Sequence, residues 1–215
     1  MIKAAIFDLD GTVCYTINDL RTAMNLMLSE FGMPQRSVED ILSAINFGAR
    51  EFVRRSMPED AASDPELVDR CFKCYSERYS EHYLDTTTPY DGIPEVITAL
   101  KKKGIKVAVL TNKGDAHAKA LVKKLFGDAF DIVLGNCDRF PTKPDPSSAL
   151  WIASELGVAP REVLYVGDSD VDMRTARNAG FFACGVSWGY RDVPTLCSTG
   201  ASGIASAPAE ILMFI

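Results

Sequence analysis

The sequence predicts an α/β protein: a Rossmann-like doubly wound parallel sheet with an all-helical domain inserted early in the chain. Three observations carry this. Residues 2–7 form a short apolar run that stops abruptly at Asp8-Leu9-Asp10-Gly11, the pattern of a buried parallel strand. The block that follows, up to residue 86, carries apolar residues at helical spacing only. From residue 93 onward, short apolar runs alternate with helical ones, as parallel strand–helix units do.

The elements follow in order. In the helical block, Leu20, Ala23, Met24, Met27, Leu28 and Phe31 fall three and four apart, and Gly32 with Pro34 stops that helix. Ser37-Val38-Glu39-Asp40 resembles a capping box with aspartate at its third position and opens a second, short helix. Residues 49–57 and 65–83 supply two more, the last with a proline in its first turn. Helicity breaks at residues 86–92. Helices are then expected over 94–103, 115–126, 146–156 and 171–179, and strands over 105–110, 131–134, 162–166 and 181–186. The change of period places the domains at 1–14 with 87–215 (α/β core) and 15–86 (four-helix cap).

Composition narrows the function. The 215 residues are 47% hydrophobic and 24% charged, with a net charge of −6, which gives no electrostatic footprint for nucleic acid or for an anionic membrane. No apolar stretch approaches the ~18–20 residues of a membrane span. Six cysteines, mostly in apolar or helical contexts, read as reduced thiols of a cytoplasmic protein rather than a disulfide framework. Cys71 and Cys74 have metal-ligand spacing but lie mid-helix with no second pair nearby, so packing is the favoured reading. His82 and His117 are isolated and read as surface residues.

In open parallel sheets, ligands bind at the carboxyl ends of the strands. Read at those positions, the sequence places Asp8 and Asp10 after the first strand and Thr111-Asn112-Lys113 after the second. Lys143 follows the third, and Asp168-Ser169-Asp170-Val171-Asp172 the fourth. Unpaired buried carboxylates are too costly to be core residues. A hard cation such as Mg²⁺ would hold such acids beside a phosphate dianion, with Asp8, Asp168 and the Asp10 carbonyl as ligands. Lys143 would act as a point cation on the phosphate, and Thr111 with the amides after Asn112 as neutral donors at a helix N-terminus. If residues 8–10 stay extended, the two carboxylates stand about 6–7 Å apart on one face. A calcium loop is disfavoured: its twelfth position, Asp19, is an acid, but the sixth, which needs glycine, is Val13, and the stretch follows a strand.

In this order and at these intervals, the residues resemble the haloacid dehalogenase-like hydrolase superfamily. Asp8-Leu9-Asp10-Gly11-Thr12 is similar to its first motif, Thr111 to its second and Lys143 to its third; Gly167-Asp168-Ser169 with Asp172 is similar to its fourth. The early insertion is similar to that superfamily's four-helix cap. The resemblance implies a Mg²⁺-dependent phosphatase acting through an aspartyl-phosphate on Asp8. Asp10 would serve as acid and then base, and Asp172 would orient metal waters.

Residues 89–93, 111–113, 121–127, 165–169, 176–180 and 185–190 resemble the phosphoglycolate phosphatase branch. One departure stands out: Tyr15-Thr16 replace the usual Asp-Ser pair, with Thr16 retaining a helix-capping hydroxyl. The cap loop around Gly48 is the expected specificity element, and Arg50 reads either as a group that meets a substrate carboxylate or as a solvated arginine on the first turn of a helix. The expected partner is a small phosphorylated metabolite, met as a monomer or homodimer. A pyrophosphatase, a phosphosugar mutase and a catalytically silent binding protein of the same fold are the alternatives. A dehalogenase is disfavoured, since it needs neither Asp10 nor Mg²⁺.

Overall fold

The computed structural model describes residues 1–215. The chain begins with β1 (Ala4–Phe7) and β2 (Cys14–Tyr15), then runs through α1 (Ile17–Glu30), α2 (Val38–Ala44), α3 (Ala49–Ser56) and α4 (Pro65–His82) to β3 (Thr88–Pro89). Alternation follows: α5 (Ile93–Lys102), β4 (Lys106–Gly114), α6 (Asp115–Phe126), β5 (Ile132–Asn136), α7 (Ser147–Glu155), β6 (Val163–Gly167), α8 (Asp170–Ala179) and β7 (Phe182–Val186). The chain closes with α9 (Val193–Thr199), β8 (Gly203–Ala205) and a 3-10 helix, Pro208–Phe214. Two compact units result, Met1–Cys14 with Pro89–Ile215, and Tyr15–Thr88.

The larger unit is built on a six-stranded sheet in the order β5-β4-β1-β6-β7-β8, parallel throughout. Ile6 of β1 lies opposite Ala108 on one side and Tyr165 on the other. The chain builds outward from β1 through β4 to β5, then crosses back to lay β6, β7 and β8 on the other side. The order therefore reverses at β1, and such a switch opens a crevice beyond the strand's carboxyl end.

All four β1 residues are fully buried, as expected of a strand covered on both faces. One face packs Ile6, Ala108, Leu110 and Tyr165 against Ile152 of α7 and Met173 and Ala176 of α8. The alternate residues Ala5, Phe7, Val107, Val109, Leu164 and Val166 are equally buried and, by the period of two, occupy the opposite face. There the Phe7 ring meets Phe130 edge-on at 6.3 Å.

In the helical unit, α1 packs on α2 and α4, and α3 packs on the same two. The row Leu20, Ala23, Met24, Met27 and Leu28 is buried, as its spacing predicts. Tyr75 of α4 meets Phe52 of α3 edge-on at 5.6 Å and stacks on Tyr79 at 5.8 Å. Ser37 and Asp40 form the reciprocal capping box, and Asp64 caps α4 ahead of Pro65. Cys71 and Cys74 are packed along α4, and no two of the six cysteines are joined. No helix is long and apolar enough to cross a membrane.

Two expectations are corrected, and two elements are added. β4 does not end at Leu110 but runs to Gly114, with a shift of register against β5 between those residues. The apolar pattern stops where side chains turn polar, while the backbone ladder continues beneath them. Thr16 precedes α1 without a side-chain cap bond, its backbone lying in the helical region (φ −119°, ψ −7°) rather than the extended one that capping uses. Beyond residue 186, α9 and β8 add a seven-residue helix and a three-residue strand, both too short to register as periodicity.

The helical unit is tied at its ends by one buried carboxylate. Asp19, in the first turn of α1, accepts from the backbone amides and hydroxyls of both Thr86 and Thr87, at 2.5–3.1 Å. Asp19 is 1% exposed and Thr87 4%, so water cannot substitute freely for the acceptor at Thr87, whereas Thr86 is exposed. Asp19→Ala is expected to lower the unfolding free energy by about 2 kcal/mol, the cost of the buried Thr87 donors left unmet. Urea denaturation measures this, and a loss below ~1 kcal/mol would show that water fills the vacated pocket.

Candidate active site

Five strand ends meet at the switch point. β1 delivers Asp8, whose amide extends the ladder by donating to the Val166 carbonyl at 2.9 Å. The chain then turns: the Thr12, Val13 and Cys14 amides all point back to the Leu9 carbonyl. Residues 8–10 are thus not an extended strand, and this turn, rather than the strand period, sets the spacing of Asp8 and Asp10. Gly11 takes φ +82° in the turn, and a Cβ there would stand 2.3 Å from Asp168 Oδ2. Only glycine satisfies both conditions.

Lys143 is the hub. Its side chain is 4% exposed, and its Nζ donates to Asp8 Oδ1 at 2.8 Å and Asp172 Oδ1 at 2.6 Å. The Tyr165 hydroxyl at 3.1 Å and the Leu110 carbonyl at 3.2 Å share its third N–H. Burial opposes the charge on Lys143, but Asp172 and Asp8 outweigh it and hold its pKa well above 10.5. Asn112, expected among the phosphate-binding groups, instead commits its side-chain amide to the main chain of Lys143. Its Oδ1 accepts from the Lys143 amide at 2.9 Å, and its Nδ2 donates to the Lys143 carbonyl at 3.1 Å.

Asp172 is saturated. One oxygen takes Lys143 and Tyr165, and the other takes the Ser169 amide and hydroxyl at 3.1 and 2.5 Å. These four donors match the acceptor capacity of a carboxylate, which leaves Asp172 to orient Lys143 and the start of α8. Asp168 is fully buried and accepts one donor per oxygen: the Thr12 hydroxyl at 3.1 Å on Oδ1 and the Tyr190 amide at 2.7 Å on Oδ2. Asp8 Oδ1 is held by Lys143, while Oδ2 accepts no protein hydrogen bond.

Carboxylate oxygens of Asp8, Asp168 and Asp172 lie within 4.8 Å of one another, and a single ammonium faces them. The imbalance is visible in their ionisation. Burial, then the Asp172 charge, raises the Asp8 pKa from 3.8 to about 7. Burial, followed by Asp172 and Asp8, raises that of Asp168 well above 3.8. A second cation would relieve this repulsion. The donor set is all carboxylate oxygen with lone pairs left on Asp8 and Asp168, which fits a hard ion such as Mg²⁺.

Asp10 is not one of those three carboxylates, although its charge adds to the rise at Asp8. Both its oxygens accept from Lys113 Nζ, at 2.8 and 2.9 Å, in a pair whose side chains are 15% and 5% exposed. Thr111 is buried on β4, its hydroxyl accepting from the Lys113 amide at 3.2 Å. Gly48 and Arg50 belong to the helical unit: Gly48 precedes α3 with φ +86°, and Arg50 Nε binds Asp69 Oδ1 at 2.7 Å in an exposed pair. Sequence reasoning assigned no role to Tyr165, Lys113 or the Tyr190 amide. Tyr165 carries a sequence signal, a hydroxyl inside a fully buried strand needing a partner; the Tyr190 amide carries none.

Comparison with known proteins agrees with this geometry. Residues 5–186 match the haloacid dehalogenase-like hydrolase family. The chain is 34% identical to a phosphoglycolate phosphatase of Thiobacillus denitrificans, over all of this chain and 96% of that one. It is 36% identical to one of Nitrosospira multiformis, over 89% of this chain and 86% of the relative. Among solved structures, a candidate phosphoglycolate phosphatase of Lactobacillus delbrueckii superposes with a TM-score of 0.90 at 32% identity, covering 97% and 96% of the two chains. A sheet that reverses at β1, acids and a lysine gathered at its carboxyl edge, and relatives matched over nearly full length place this chain in the haloacid dehalogenase-like hydrolase family, in its phosphoglycolate phosphatase-like branch.

Proposed function

We propose that this phosphoric monoester hydrolase is a Mg²⁺-dependent phosphatase of small cytoplasmic phosphate monoesters, with 2-phosphoglycolate as its substrate. The observation that carries the reading is the buried cluster of Asp8, Asp168 and Asp172 around a single lysine, with Asp8 Oδ2 left open. The phosphoglycolate phosphatases named above support the substrate, and the unjoined thiols are in keeping with a reducing compartment.

Asp8 Oδ2 attacks phosphorus in line, forming the Asp8–phosphorus bond as the bond to the substrate's alkoxide oxygen breaks. Asp10 gives its proton to that oxygen, then removes a proton from the water that cleaves the acyl phosphate, restoring both groups. Lys143 holds Asp8 Oδ1 so that Oδ2 faces the substrate. Thr111 offers a hydroxyl to the phosphoryl oxygens, Asn112 fixes Lys143, and Lys113 aims Asp10. Asp8 and Asp168, with the Asp10 carbonyl, would hold the Mg²⁺, which supplies positive charge between the carboxylates and the phosphate.

Asp8→Asn is expected to abolish phosphate release. Asp10→Asn, which keeps the cation ligands, should slow it by about 10²–10⁴-fold with little change in Mg²⁺ affinity. Steady-state rates and calorimetric titration check both. Wild-type turnover by Asp8→Asn, with deamidation excluded by mass spectrometry, would end the assignment.

A phosphate-release panel tests the substrate. It comprises 2-phosphoglycolate, pyrophosphate, a sugar 1-phosphate and a nucleoside monophosphate, each with and without Mg²⁺. The highest kcat/KM is expected for 2-phosphoglycolate and only with the metal. We also assign Arg50 to the substrate carboxylate, because an exposed pair such as Arg50–Asp69 is worth at most ~1 kcal/mol and leaves the guanidinium available. Arg50→Ala should then lower kcat/KM for 2-phosphoglycolate relative to an uncarboxylated phosphate, and equal losses on both would remove it from recognition.

The carboxylate cluster also sets a pH dependence. The metal-free folded state retains a proton on Asp8 up to about pH 7, whereas the unfolded chain releases it near 3.8. This contribution to stability is therefore complete below that value and lost as pH rises through about 7. In EDTA, wild type should lose more stability between pH 5 and 8 than Asp8→Asn does, and Mg²⁺ should stabilise wild type more at pH 8 than at pH 5. Urea midpoints measure both, and equal pH profiles for the two proteins would contradict it.

A further inference from the structure

The segment after β7, Ser187-Trp188-Gly189-Tyr190, has no part in the chemistry above, yet it packs against Asp168. The Tyr190 amide donates to Asp168 Oδ2 at 2.7 Å. The Trp188 indole N–H donates to the Thr12 carbonyl at 3.1 Å, and the Thr12 hydroxyl donates in turn to Asp168 Oδ1 at 3.1 Å. Hydrogen bonds and backbone thus close a ring through Asp168, Tyr190, Trp188 and Thr12. Gly189 lies inside that ring: a Cβ there would stand 2.1 Å from Asp168 Cβ and 2.6 Å from its Cγ and Oδ2. Those atoms are held by the fully buried Asp168 and cannot retreat as the end of a flexible side chain would.

We infer that Trp188, Gly189 and the Tyr190 amide form a clamp that positions the Asp168 carboxylate for the divalent cation. Each Asp168 oxygen receives one donor and keeps lone-pair capacity. The neighbouring carboxylates of Asp8 and Asp172, within 4.8 Å, push Asp168 away from the cluster. Two fixed donors and the side-chain-free approach at Gly189 hold it against that push. The clamp acts through Asp168 and does not touch substrate, so these are positioning residues. The inference rests on Asp168 being a Mg²⁺ ligand, as proposed above.

Calorimetric titration of Mg²⁺ into the full-length chain tests it, with melting in EDTA recorded alongside. Gly189→Ala should weaken Mg²⁺ binding by about 10–100-fold, the usual effect of disturbing a partner of a metal ligand. Trp188→Phe, which removes the indole donor along with part of the ring, should weaken it by about 2–10-fold. For each variant, kcat should recover toward wild type at saturating Mg²⁺, which a loss of general packing would not produce. If Gly189→Ala is too unstable to titrate, Trp188→Phe decides. Wild-type Mg²⁺ affinity in the variants overturns the clamp and leaves the phosphatase reading standing; absence of Mg²⁺ binding by the wild-type chain overturns both.

Discussion

Three carboxylates share a buried pocket with one ammonium, and the geometry of the catalytic edge follows from that constraint. Lys143 sits between Asp8 and Asp172 at 2.8 and 2.6 Å. Removing one partner from such a buried pair costs about 3–5 kcal/mol, because the remaining charge stays desolvated. The surroundings accordingly hold every member in place. Asn112 grips the Lys143 main chain through both ends of its amide. The Ser169–Asp172 box opens α8 and points Asp172 at Lys143.

Hydrogen bonding then divides the labour among acids that the sequence makes look alike. Asp172, with four donors, has no capacity left and is structural within the site. Asp168, with one donor per oxygen, and Asp8, with one oxygen bare, retain the lone pairs that a cation and an electrophile need. Asp10, paired with Lys113, is not one of the three clustered carboxylates, although its charge adds to the rise at Asp8. This division is why Asp8 and Asp168, rather than all four acids, are assigned to the cation.

The glycines show how tightly the pocket is drawn. Gly11 and Gly189 both lie where a Cβ would collide with Asp168, so backbone from the segments after β1 and β7 approaches one carboxylate directly. Substitution at either position would displace a charged group that has nowhere to move. The same close approach brings the Tyr190 amide within reach of Oδ2.

Much of this was legible in the sequence. The apolar run before Asp8, the helical period up to residue 86 and the alternation after 93 determined the class of fold, because burial on two faces, on one stripe or on neither leaves a residue pattern. Reading the ends of the strands placed Asp8, Thr111, Lys143 and Asp168 at one edge, since parallel strands bring their carboxyl ends together. The pairing of Lys113 with Asp10, the diversion of Asn112 to Lys143, the ring from Trp188 to Asp168 and the tie of Asp19 to Thr86 and Thr87 were decided only by the tertiary structure. Those contacts join residues dozens to more than a hundred positions apart through single donors and acceptors. A lone hydrogen bond leaves no period or composition in the chain, whereas a buried face does.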